Sequence, residues 1–276
     1  VPLLHARLSG GPLEDELRAI EEGLRRVEAR APSFDPAPYD PAAVAKVRAQ
    51  WAWRMRFEHR SSAVFGQLAL QLFEAAAPLD AEIVMQRMAL DELRHTRTCA
   101  EVIAALGGAP EVDAELVVEP LARHGEATPG ERALRNVLYT TCLSEVVACA
   151  RFVATLDHTT DPFLRDAIRR LLADEVLHGQ FGFHYLAAVR PWLDAHPEVV
   201  ASVERFLVHA FAVIEGELAP QPPFRELTAD ERALGGDDPQ LAREVFYGTM
   251  EGAVVPGLER LGLAAGQAWR ERRRLA

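Results

Sequence analysis

Cations are the minority charge in this sequence. Thirty Lys and Arg face 41 Asp and Glu, a formal net charge of −11 over 276 residues. A surface that tracks phosphates needs an excess of Lys and Arg, so broad nucleic-acid or anionic-membrane binding is not expected. Cysteine is also scarce. Cys99, Cys142 and Cys149 make neither a CxxC pair nor an even disulfide framework, which points to a reducing cytoplasm. No apolar run approaches the ~20 residues of a membrane span. The opening "VPLLHARLSGG" lacks the basic-then-apolar layout of a signal peptide, and lacks an initiator Met. There is no glycine pattern for a dinucleotide. No segment alternates apolar and polar residues over a strand's length, so essentially no sheet is expected.

What is abundant is Ala, Leu, Arg and Glu, and these favour helix. Residues 13–30 read as a charged surface helix, followed by a proline-rich linker at 31–41. Asp40-Pro41 opens a helix to about Ala76, and Asp80 is expected to cap a second one to about Leu106. A long connection, 107–130, leads to a third helix to about Leu156; Pro162 opens a fourth to about Val189. A good helix at 197–217, a polar loop at 218–240 and shorter helices complete the chain, which ends in the basic "RERRRLA". Short links make antiparallel neighbours, while the long one lets the chain return along the bundle. A helix of ~26 residues is ~40 Å long, and some 20 extended residues at ~3.3 Å each cover it. The reading is a single all-α domain. A four-helix bundle with one long crossover occupies about 41–190, with 1–40 and 191–276 as N- and C-terminal additions.

Core-facing stripes locate the chemistry. At steps of three and four, the first helix presents Trp51, Met55, Glu58, Ser62, Phe65, Ala69 and Leu72. The second presents Met85, Met88, Glu92, His95, Cys99, Val102 and Leu106. The third presents Leu134, Leu138, Thr141, Glu145, Ala148 and Phe152, and the fourth Leu164, Ile168, Leu171, Glu175, His178, Gly182 and Tyr185. Each stripe is apolar or small except near its middle. There every helix offers a glutamate, and two add a histidine three residues on, within the motifs "DELRH" (91–95) and "DEVLH" (174–178). Four buried carboxylates repel one another and lose their solvation, whereas two divalent cations would cancel them. Six O and N ligands without thiolate suit iron or manganese better than structural zinc.

With Glu58, Glu92-x-x-His95, Glu145 and Glu175-x-x-His178, the chain resembles the ferritin-like di-iron carboxylate proteins over about 41–190. A single ExxH is a weak signal; two, on core stripes and 34 and 30 residues after stripe glutamates, are a strong one. The preceding Asp in both motifs is similar to the O2-activating oxygenase and reductase branches. There, the resemblance implies, Asp91 holds His178 and Asp174 holds His95. The N-oxygenase branch carries a further His four residues before the last Glu; Leu171 stands there, so that seventh ligand is not expected. Cys99 replaces the tyrosine of the radical-forming reductases.

The resemblance implies two Fe ions, with Mn or mixed Mn/Fe as options, and a non-haem oxygenase or oxidase. It would use O2 on a small organic substrate, by hydroxylation, N-oxygenation or desaturation, with electrons from an external reductase or ferredoxin. Cys99, Thr141, Cys149, Phe152 and Gly182 are the expected pocket residues; Phe57, Phe65 and Phe181 could shape an apolar cavity or simply pack. His59, His184 and His209 read as surface, core or interface histidines. The alternatives are a ferroxidase or iron-storage protein, a manganese catalase-like or rubrerythrin-like enzyme, and a helical interaction protein with a structural metal. A homodimer is compatible with all of them.

Overall fold

The computed structural model describes residues 11–23, 33–110 and 120–274. The expected helix and linker at 24–32, the middle of the long connection (111–119) and the chain's ends lie outside them. The regular structure among the described residues is all helical, without a strand.

The order is α1 (Pro12–Gly23), α2 (Pro41–Glu74), α3 (Leu79–Ala105), α4 (Pro129–Val137), a π-helical segment (Leu138–Glu145), α5 (Val146–His158) and α6 (Pro162–Ala188). After them come α7 (Arg190–Asp194), α8 (Pro197–Leu218), α9 (Ala229–Ala233), α10 (Pro239–Thr249), a π-helical turn (Met250–Val254), α11 (Val255–Arg260) and α12 (Ala265–Glu271). The starts of α2 and α6 follow from local chemistry: Asp40 accepts from Ala42 N and Asp161 from Leu164 N, each with Pro next in sequence. Asp80 does not cap α3. The helix begins a residue earlier, with Pro78 at the cap, and buries Asp80 in its first turn.

Helices α2, α3, α6 and the continuous α4–π–α5 unit form the bundle, with α2 packed most extensively on α3. Its core is two apolar clusters. One contains Phe65, Met85, Met88, Leu138, Leu143 and Phe181; the other contains Trp51, Met55, Cys99, Phe152, Ile168 and Leu171. Along α2 and α6 the chain passes from the second cluster to the first; along α3 and α4–α5 it passes the other way. So α3 and α4–α5 run parallel, and the connection between them must travel the length of the bundle. Its described ends agree. Arg48 Nη1 on α2 donates to Leu106 O (3.2 Å), and Leu121 N donates to Gln67 Oε1, further along α2, at 3.0 Å.

Two expectations need correction. Helix α1 is not a free surface helix: Leu13 is buried in the first cluster, and the buried Glu16 pairs with His184 of α6. The segment Pro129–His158 is long and apolar enough to cross a membrane, contrary to the reading of the sequence. Half of its apolar window is buried inside the bundle, with Glu145 near its centre.

Candidate metal centre

The polar stripe positions lie between the two apolar clusters and meet there. Glu92 and Glu175 are 1–2% exposed, as are His95 and His178, and Glu58 and Glu145 are 8% exposed. Two groups of potential ligands form. One is Glu58, Glu92, His95 and Glu175; the other is Glu92, Glu145, Glu175 and His178. Within each, one ligand atom per residue lies within 4.8 Å of all the others. Glu92 and Glu175 belong to both groups, which is the arrangement two neighbouring cations need from bridging carboxylates.

Both imidazoles turn Nδ1 inward. His95 Nδ1 faces Glu175 Oε1 at 3.3 Å, Glu58 Oε2 at 3.5 Å and Glu92 Oε1 at 3.8 Å. His178 Nδ1 faces Glu92 Oε1 at 3.1 Å and Glu175 Oε2 at 3.5 Å. Despite these approaches, Glu92 Oε1, Glu175 Oε2 and both Nδ1 atoms are buried without a properly directed hydrogen bond. Buried polar atoms in a folded protein almost always have partners, so four orphans aimed at one volume mark a place for a ligand. Hard oxygen and imidazole donors without sulfur match Fe or Mn. Cys99, one turn beyond His95, is fully buried, and burial pushes its thiol up, away from the thiolate a metal would need.

The outward nitrogens cross the bundle. His95 Nε2 meets Asp174 Oδ2 at 3.2 Å. His178 Nε2 faces Asp91 Oδ2 at a longer 3.7 Å, beyond hydrogen-bond contact. Asp91 is more firmly engaged by arginines: Arg87 Nε and Arg94 Nη1 each donate to its Oδ1 at 2.8 Å.

Without metals the cluster shares protons. Burial, then the charges of Glu175 and Glu92, holds Glu145 far above the usual carboxylate range, and burial pushes Glu92 up to about 8. Burial disfavours ionised Glu175 too, but contact with His178 and His95 outweighs it and keeps Glu175 ionised. Burial would lower both histidines, yet the carboxylates around them hold each well above its ordinary value.

The π-helical segment, absent from the sequence reading, ends at Glu145. It loosens the helix ahead of a group that must face inward, as such segments often do at functional sites. Thr141 Oγ1 of this segment donates to Val137 O at the end of α4. Helix α6 approaches this segment through Gly182: a Cβ there would collide with Thr141 Oγ1 and sit 2.5 Å from Cys142 Sγ. Gly182 is therefore a close-packing residue.

No protein-family model matches the sequence, and no curated protein matches it. Among solved structures, the chain is similar to a protein from Synechococcus with aldehyde deformylating oxidase activity, at 19% identity and a TM-score of 0.54. The match covers 84% of this chain and 95% of that one. What they share is the fold.

A cavity of about 160 Å³ reaches Glu58, Glu92, Glu145 and Glu175 from the α2–α5 side. Its walls include Phe57, Val147, Phe152 and Leu218, with Arg54, Arg151 and Asp237 as charged groups. Of the expected pocket residues, Phe152 lines it. Cys99, Thr141 and Gly182 do not, being buried in the packed bundle, and the half-buried Cys149 does not line it either. Phe65 instead sets its ring edge-on to His178, with centroids 5.6 Å apart. The arginines and the loop residue Asp237 were missed: Arg54 and Arg151 lie off the core stripes, and Asp237 comes from a distant loop.

Proposed function

We propose that this chain is a non-haem di-iron oxygenase or oxidase that uses O2 to oxidise a small organic substrate. The observation carrying the proposal is the double group of buried ligands sharing Glu92 and Glu175, with four polar atoms left without hydrogen-bond partners. Glu58 and His95 would hold one ion, Glu145 and His178 the other, and Glu92 and Glu175 would serve both. Iron or a mixed Mn/Fe pair, once bound, would supply the electrons and Lewis acidity for O2 chemistry.

The chain's own part is to hold, orient and exclude. The six ligands carry four negative charges when ionised, which two divalent cations balance. Asp174 fixes His95 by accepting from Nε2, leaving Nδ1 free to ligate. The apolar clusters above and below keep bulk water from the band. The cavity admits an organic molecule to the carboxylate side, which supports substrate oxidation over iron storage. The oxidase activity of the Synechococcus protein on the same fold agrees with this class; its substrate does not transfer with a fold. Re-reduction calls for an external reductase or ferredoxin.

The test is anaerobic loading with Fe(II), metal analysis, and then exposure to O2. About two metals per chain and limited O2 uptake in the absence of substrate are expected. A protein that takes up neither iron nor manganese sinks the reading, and sustained oxidation of many Fe(II) per chain would make iron the substrate.

A further inference from the structure

The cavity carries two guanidinium groups outside the ligand set. Arg54 lies one turn before Glu58 on α2, and Arg151 lies six residues after Glu145 on α5. Those helices run antiparallel, so both offsets lead toward the same end of the bundle, about 6 and 9 Å along the helix axes at 1.5 Å per residue. Arg54 is wedged between aromatic rings, its Cζ 4.7 Å from the Trp51 centroid and 4.8 Å from that of Phe152. Its carboxylate neighbour, Asp237, is 3.5 Å away, a long contact. Arg151 has no ion pair or hydrogen bond among the described residues.

Charge balance gives these groups a role. Once two divalent cations offset Glu58, Glu92, Glu145 and Glu175, the cavity keeps Arg54 and Arg151 against Asp237 alone, and its net charge is positive. A guanidinium matches a carboxylate with two parallel hydrogen bonds. Apolar walls at Phe57, Val147 and Leu218 suit a hydrocarbon body.

We propose that the cavity selects a small organic carboxylate, gripped at its acid group by Arg151 with Arg54 beside it. Its reacting atom would lie a few bonds from that group, along an apolar body facing Phe57, Val147 and Leu218. This rests on the di-metal oxidase reading and names the substrate class for it. Arg151 and Arg54 are positioning and specificity residues; neither belongs to the ligand groups.

The test uses the iron-loaded protein without O2 and two probes of nearly equal shape, hexanoate and hexanamide, with binding followed by calorimetry. Hexanoate should bind at least about tenfold tighter, the least expected of a charge-assisted pair over a neutral one. Arg151→Gln should cut that preference to about twofold or less with metal content unchanged, and Arg151→Lys should keep part of it. Arg97→Gln, at an 82% exposed side chain paired with Glu101, should leave it intact. Equal binding of the two probes, no binding of either, or a preference that survives Arg151→Gln overturns the proposal. The last outcome would place the acid on the metals themselves. Metal analysis of the same samples keeps the two readings apart: full metal without acid preference defeats only this one, while absent metal defeats both.

Discussion

Glu92 Oε1 of α3 stands 3.1 Å from His178 Nδ1 of α6, and neither atom makes a properly directed hydrogen bond. The reciprocal approach, Glu175 Oε1 to His95 Nδ1, is 3.3 Å. Each ExxH motif therefore completes its group with the other's glutamate, and neither helix holds a full site alone.

This interlocking predicts unequal ligand losses. Glu58→Ala should lower bound iron from about two to about one per chain, and so should Glu145→Ala. Glu92→Ala or Glu175→Ala, each removing a shared carboxylate, should lower it toward zero, because metal affinity follows ligand count. Metal analysis after identical loading decides. Equal losses in all four variants would contradict separate groups sharing two residues.

The two aspartates should behave differently. Asp174→Ala loses the acceptor that orients His95, and metal affinity should fall about 10- to 100-fold with little change in folding. Asp91→Ala leaves the buried Arg87 without its ion pair and should destabilise the fold by about 3–5 kcal/mol. Competition with a chelator measures the first effect and denaturant unfolding the second. The opposite ranking would mean that Asp91, at 3.7 Å, is the stronger support for its histidine.

Gly182→Ala puts a methyl group against Thr141 and Cys142 where α6 meets the π-helical segment. The helices must part, at a cost of about 1–3 kcal/mol. Because Glu145 follows Thr141 by one turn, metal binding should weaken as well. The readouts are the denaturation midpoint and the metal affinity of the folded fraction. Unchanged values would show that the approach is looser than described.

Metal-free protein should lose stability as pH rises. Glu92 goes from an ordinary 4.5 to about 8 on folding, and Glu145 moves the same way, so between those values the folded state binds more protons than the unfolded chain. The raised histidines extend the loss to higher pH. Asp91, drawn down by His178 and Arg87 from 3.8 to about 2 against the cost of burial, acts in the acid range, where its stabilisation disappears as pH falls. Metal uptake at neutral pH should release protons, and loaded protein should show a flatter profile between 4.5 and 8. Melting temperatures across that range, with and without metal, provide the check; a metal-free profile that rises would reverse the sign.

Much of the bundle was legible because its signals are local. Asp40-Pro41 and Pro162 set helix starts, and steps of three and four put Glu92 with His95 and Glu175 with His178 on single faces. Glu16 was not legible. Its charged neighbours on α1 mask a carboxylate that is buried against the bundle and paired there with His184 of α6.

Helical periodicity alone determined that six ligand-type side chains occupy core stripes, since the repeat within a helix depends only on neighbouring residues. Tertiary structure decided what those stripes could not contain: the crossing of Asp174 to His95, the π-helical segment before Glu145, and the cavity joining Arg54, Arg151 and Asp237. Each depends on how separate helices pack and where a distant loop lands. Those are contacts between residues far apart in sequence, and no local repeat records them.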